Sequence, residues 1–196
     1  MRPNHPQGRS KMREKKIYLL LTDTGTLFTR LIKFYTKKPY NHASIAFDEE
    51  LSTVYSFGRK NPRNPLIGGF VCEDMYSRLF MQADCAIYSL SVREEQFYKL
   101  KFCIQEIAAR KERYHYNLLG IFGVMLNMPI KRKNAFFCSQ FVASILKQGD
   151  LIRPEKDLSL IQPHELPFLA DFQLVYEGRV KDYSHKIMRE RVPIPQ

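Results

Sequence analysis

Two residue types that do nucleophilic chemistry stand far apart in this chain: a cysteine, Cys138, within FFCSQFVASILKQG, and a histidine, His42, within NHASIAFDEE. The pattern around Cys138 predicts the first turn of a helix, just after the basic run Lys131, Arg132, Lys133. Helix amide dipoles and nearby cations both favour a thiolate over a thiol, so this position suits a nucleophile. The other cysteines have structural readings. Cys103 lies beside an apolar helical stripe, Cys85 opens a strand, and Cys72 falls in the FVCED segment. With no CxxC pair and no dense spacing, the four argue against a zinc site and against a disulfide framework.

A thiolate needs a base, and five histidines compete for that role. His5 and His185 fall in the tails, His164 sits at the PHEL start of a short helix where capping explains it, and His115 follows a long helix where solvation does. His42 opens a strand. Alternation puts His42, Ser44 and Ala46 on one face and Ala43, Ile45 and Phe47 on the other. The second set reads as the core face; the first is a small-residue face that a helix carrying Cys138 is expected to approach.

The same strand names an orienting group. If Asp48, Glu49 and Glu50 form a three-residue hairpin loop, Phe47 pairs with Leu51 and His42 stands opposite Ser56, whose hydroxyl can hold the far imidazole nitrogen. A slip of one residue gives that place to Tyr55 instead.

These residues need elements to position them. KIYLLLT (16–22) is a continuous apolar run that reads as a buried strand. TLFTRLIKFYTKK has helical spacing and stops before Pro39. HASIAF (42–47) and LSTVYSF (51–57) read as a hairpin, and GRKNPRNPLIGG as a loop. DCAIYSLSV (84–92) alternates like a strand. Ser91 and Glu94 then form a capping-box pattern ahead of a long helix with the stripe Phe97, Leu100, Ile104, Ile107. In the Cys138 helix, Asn134 is the expected N-cap, Phe137, Phe141, Val142 and Ile145 the buried face, and Gly149 the terminator. FQLVYEGRVKDY reads as a last hairpin around Glu177 and Gly178. Strands and helices in this mixed order, without regular βαβ units, predict an α+β fold with an antiparallel sheet.

At 196 residues, with 44% hydrophobic and 26% charged residues, the chain has the composition of one ordinary globular domain. No apolar run approaches the length that spans a bilayer. Residues 1–15 read as a basic disordered arm, or as an added leader ahead of Met12; residues 16–183 as the domain; residues 184–196 as a tail. The arm lacks the apolar segment of a secretory signal, so a cytoplasmic location is expected. The net charge of +11 is compatible with nucleic acid, an anionic surface or solubility alone.

The segments NHASIAFDEE, TVYSFG, YNLLGIFG, FFCSQFVASIL, QPHEL and VYEG together resemble the circularly permuted branch of the NlpC/P60 (papain-like) superfamily, which includes YiiX-like and lecithin:retinol acyltransferase-like proteins. In that branch the histidine strand precedes the cysteine helix, as His42 precedes Cys138 here. The resemblance covers residues 16–183, with its specificity in the His and Cys segments. It implies a papain-like antiparallel sheet packed against helices, with Cys138 as the nucleophile at a helix N-terminus and His42 as the general base. Ser56 falls at the third polar position, where the branch often has histidine or another hydrogen-bonding side chain, and Tyr116 where related enzymes line the site with tyrosine. The implied activity is a thiol hydrolase, a peptidase or amidase working through an acyl-enzyme on a peptide, amide or acyl-lipid substrate without metal or cofactor. Two alternatives stand beside it: a lipid acyltransferase, and a non-enzymatic module on the same fold that binds nucleic acid or anionic lipid through a basic surface.

Overall fold

A computed structural model of the chain describes residues 14–25, 33–34, 36–61 and 64–183. Six strands form one sheet: β1 (Glu14–Asp23), β2 (His42–Ala46), β3 (Val54–Asn61), β4 (Asn64–Glu73), β5 (Asp84–Arg93) and β8 (Gln173–Arg179), in the order β4-β3-β2-β1-β5-β8. Every neighbouring pair is antiparallel. Two short strands, β6 (His115–Tyr116) and β7 (Ala135–Phe136), pair in parallel apart from it. Among the described residues, the α-helices with assigned bounds are α1 (Arg78–Met81), α2 (Glu94–Ala109), α3 (Leu118–Met125) and α4 (Cys138–Gln148). The chain is thus a mixed α+β protein with an antiparallel sheet packed against helices, as the order of its apolar segments predicts. Among the described residues no helix is long and apolar enough to cross a membrane.

β1 is apolar at successive positions because it lies centrally with both faces covered. Ile17, Leu19 and Leu21 join Ala43 and Ile45 of β2 in a core with Phe97, Leu100, Ile104 and Ile107 of α2 and Phe141, Val142, Ile145 and Leu146 of α4. Tyr18 and Leu20 face the other way, with Ala46, Val54, Phe80 of α1, Val180 and Tyr183. The predicted stripes of α2 and α4 are therefore the buried ones. The face that receives α4 is not the expected one: the helix packs over Ala43 and Ile45, not over the small residues Ser44 and Ala46.

Several local expectations change. β1 begins at Glu14, inside the expected arm, because Glu14 and Lys15 still pair with Arg93 and Val92 of β5. Residues 1–13 and the tail 184–196 lie outside the described residues. So does most of the predicted 26–38 helix, of which Lys33, Phe34 and Thr36 are seen to be helical. GRKNPRNPLIGG is not a free loop; it supplies the end of β3 and most of β4, with a register shift between Arg59 and Asn61. Glycine, proline and asparagine read as loop residues, but a bulge accommodates such residues within a paired ribbon. Ser91 stays in β5, and the capping box of α2 is made by Arg93 and Gln96. FQLVYEGRVKDY does not turn back at Gly178. It runs through as β8 along β5, with Gly178 opposite Cys85 and helical geometry over 180–183.

Candidate active site

The position of Cys138 follows from the short β6–β7 pair, which sets His115 against Ala135 and Tyr116 against Phe136. The chain leaves β7 in extended geometry at Phe137 (φ −107°, ψ 171°), the N-cap, and Cys138 is the first residue of α4. Asn134 is not the cap. It takes a left-handed turn conformation (φ 54°), and its carbonyl accepts from the His115 amide at 2.9 Å. The first turn is fastened by the Phe141 amide donating to the Phe137 carbonyl at 2.9 Å and by the buried Ser139 hydroxyl donating to the Ile161 carbonyl at 2.7 Å. Gly149 caps the far end.

His42 is the first residue of β2, paired with Thr22 of β1. On its other side β2 meets β3 at Ile45↔Tyr55 and Ala46↔Val54, two residues away from the expected register. The connection spans residues 47–53 instead of three, with Leu51 at φ 55° and the Ser52 amide bonded to the Asp48 carboxylate at 2.7 Å. Carried toward the strand start, this register sets Ser44 against Ser56 and His42 against Gly58. A slip by two preserves the face, so Ser56 stays on the His42 side while Tyr55 goes to the opposite core, its ring 6.0 Å from that of Phe70.

The group that holds the imidazole is one the sequence reading did not select. His42 Nε2 lies 2.9 Å from Glu73 Oε1, at the end of β4. The Ser56 hydroxyl donates to that same carboxylate oxygen. Ser56 therefore supports the carboxylate, and the imidazole only through it. Glu73 stands opposite Val54 in the β3–β4 ladder, two residues along from the Ser56↔Val71 pair, which brings both side chains to one face. Gly58 lies beside them: a Cβ there would stand 3.6 Å from both Glu73 Oε1 and Ser56 Oγ, an ordinary contact.

The remaining imidazole nitrogen serves Cys138, which hydrogen-bonds to His42 and also accepts from the backbone amides of Ala43 and Ser139. Burial alone would raise the thiol, but the bond to His42, the imidazolium charge and the two amides together bring it below its ordinary value. Burial likewise works against a charged His42, but its bonds to Cys138 and Glu73 overcome that and raise the ring to about 10. For Glu73, burial is outweighed by His42 and then by Ser56, and the carboxyl is lowered. All three shifts favour a thiolate–imidazolium–carboxylate chain. The other thiols differ: burial pushes Cys85 up to about 12, and burial also raises Cys103.

The expected cation cluster contributes less directly. Lys131 Nζ pairs with Asp157 at 2.6 Å, and the positive group touching the sulfur is His42. Tyr116 precedes the site in β6 and abuts Gly68, where a Cβ would lie 2.7 Å from the Tyr116 Cβ. His115 is exposed, and His164 is held below its ordinary value by burial and by Lys38. Among the described residues, no group of three or more His, Cys, Asp or Glu side chains is arranged to hold a metal ion. In comparisons with known proteins, no family model, curated protein or solved structure matched the chain.

Replacing Ser56 by alanine removes one of the two donors on Glu73 Oε1 while leaving the imidazole bond intact. Ser56→Ala is expected to lower stability by about 1–3 kcal/mol, the cost of a lost buried bond to a charged acceptor, measured as a shift in the urea midpoint. Cys138 labelling should slow by only a few-fold, since the oxygen keeps His42. A labelling loss equal to that of a His42 variant would mean that the hydroxyl acts on the ring itself.

Proposed function

We propose that this chain is a cysteine hydrolase, a peptidase or amidase, in which Cys138 is the nucleophile, His42 the general base and acid, and Glu73 the residue that orients His42. The observation that carries the reading is the continuous run of contacts from sulfur to imidazole to carboxylate at the first turn of a helix. In this reading the Cys138 thiolate attacks the substrate carbonyl carbon, and the carbonyl π electrons move onto oxygen. The Cys138 backbone N–H, at a helix start where amides lack intrahelical acceptors, faces the oxyanion. The tetrahedral adduct collapses by expelling the amine, which takes the proton from His42, and a thioester remains on sulfur. Water then gives a proton to His42 as it adds to the thioester, and collapse releases the acid and restores the thiolate. Glu73 keeps Nε2 engaged so that the other nitrogen faces sulfur in both half-reactions.

The permuted NlpC/P60 relationship and the papain-like fold belong to this proposal, as does a cytoplasmic site of action. What supports them is chain order and geometry: the histidine strand precedes the cysteine helix, and that helix packs on an antiparallel sheet with its first residue at the imidazole. The test is a panel of peptide amides, thioesters and acyl lipids, with intact-mass detection of an acyl adduct. Wild type is expected to accumulate an adduct on Cys138 with at least one class, and Cys138→Ala to form none. Turnover that survives Cys138→Ala, or no adduct with any class, would remove the proposal.

A further inference from the structure

The helix just ahead of the site is built inside out. α3 has the sequence LLGIFGVM, and its buried residues are Gly120 and Gly123. A Cβ at Gly120 would lie 2.5 Å from Asn117 Nδ2 and 3.1 Å from Phe137 Cδ1; one at Gly123 would lie 2.5 Å from the Met128 carbonyl oxygen. The glycines let the helix press against the body of the protein, and the bulky residues are left outside. Leu119, Phe122 and Leu126, at i, i+3 and i+7, are 53%, 51% and 69% exposed, and Met128 beyond them is 60% exposed. An ordinary surface helix has the reverse pattern, with large apolar residues inward. A contiguous apolar stripe held in water marks a docking surface.

The charge around the stripe narrows the partner. Residues 118–134 contain Lys131, Arg132 and Lys133 and no Asp or Glu. Lys131 is engaged with Asp157, while Arg132 and Lys133 are exposed. We propose that α3 and Met128, flanked by Arg132 and Lys133, form a docking surface for an anionic lipid bilayer. An eight-residue helix is too short to cross a bilayer but suffices to bury an apolar face at the acyl boundary, with cations at headgroup level. The exposed apolar row and the basic flank without any Asp or Glu match a bilayer interface, which takes up apolar side chains and cations together. Because Phe137 packs under α3 and directly precedes Cys138, docking would bring the start of α4 next to the membrane surface.

The surface does not require a reactive Cys138, so it is tested separately from the proposed chemistry. The full chain is floated with vesicles of phosphatidylcholine alone and of phosphatidylcholine and phosphatidylglycerol in equal parts. Binding is expected to the anionic vesicles and to weaken with salt. The Phe122→Ser/Leu126→Ser pair should lose about tenfold or more in vesicle affinity. The Arg132→Glu/Lys133→Glu pair should lose about tenfold and most of the salt dependence. Cys138→Ala should float like wild type. If the helix pair fails to fold by circular dichroism, Met128→Ser, outside the helix, is expected to weaken binding in its place. Absence of flotation, or flotation that neither pair nor Met128→Ser weakens, overturns the proposal. So does a dimer that the apolar pair dissolves without changing vesicle binding, which would make the stripe a contact between copies. Tight binding to duplex DNA without vesicle binding also overturns it.

Discussion

Replacing His42 by alanine is expected to slow iodoacetamide labelling of Cys138 at pH 6 by about tenfold to a hundredfold, the largest change any single substitution should make without removing the sulfur. An ordinary thiol with a pKa of about 8.5 is less than about 1% ionised at that pH, whereas a thiol paired with an imidazolium is mostly ionised. The rate ratio is smaller than the ratio of populations because a more acidic thiol is a weaker intrinsic nucleophile. The pH dependence has a definite sign. In wild type the thiol is lowered, so labelling should persist below neutrality and fall only as acid returns the proton to sulfur. His42 is raised, so any hydrolysis that needs its proton for the leaving group should decline at high pH, as the ring deprotonates toward about 10. Site-resolved mass spectrometry provides internal controls, because Cys85 and Cys103 are raised and should label slowly near neutrality. If Cys138 labels no faster than they do at pH 6, the ion pair is absent.

Glu73→Gln should slow Cys138 labelling by less than His42→Ala does, and should also lower turnover. The amide retains the shape of the carboxylate and can still meet Nε2, but it carries no charge to stabilise the imidazolium and can present its NH₂ group to the ring. The His42 pKa should fall, the Cys138 pKa should rise, and the alkaline limb of any pH–rate profile should move to lower pH. Loss of the orienting carboxylate in such a site costs on the order of two to four decades in kcat. His42→Ala and the double variant should be nearly equal, since Glu73 acts through the ring; a large additional loss in the double variant would mean that Glu73 has a separate role. The displacement of the pH profile is the discriminating measurement, because a purely structural defect would reduce rates without moving either limb.

Much of the architecture was legible in the sequence because its strongest signals are periodic. Ile17 to Leu21, the stripe Phe97–Leu100–Ile104–Ile107, and Phe141 with Ile145 each state which surface is buried, and the structure buries them. His42 and Cys138 could be singled out because each stands at the edge of such a periodic segment. Glu73 could not be found in the same way. Its strand is built from NPLIGGFVCE, in which glycine and proline obscure alternation, and its pairing depends on a ribbon whose register shifts. Had that stretch been read as a strand, even spacing from Val71 would have brought the carboxylate to the face of Ser56. The register error at the β2–β3 connection has a related cause. Three acidic residues suggest a short turn, but Leu51 adopts a left-handed backbone that no spacing rule anticipates, and the connection lengthens. The two-residue shift left Ser56 on the correct face while placing it one step further from the ring.

β4 is one of the two edge strands of the sheet, and among the described residues it pairs in the sheet with β3 alone. Edge elements open locally at a lower free energy than the molecule as a whole. The charge that stabilises the imidazolium is carried by the last residue of that strand, while the sulfur and the ring belong to interior elements. A local opening that frees β4 from β3 would therefore remove the carboxylate while leaving the strand of His42 and the helix of Cys138 packed. The acidity of the thiol thus has its own threshold, below that of unfolding, and amide exchange in β4 measures how often it is crossed.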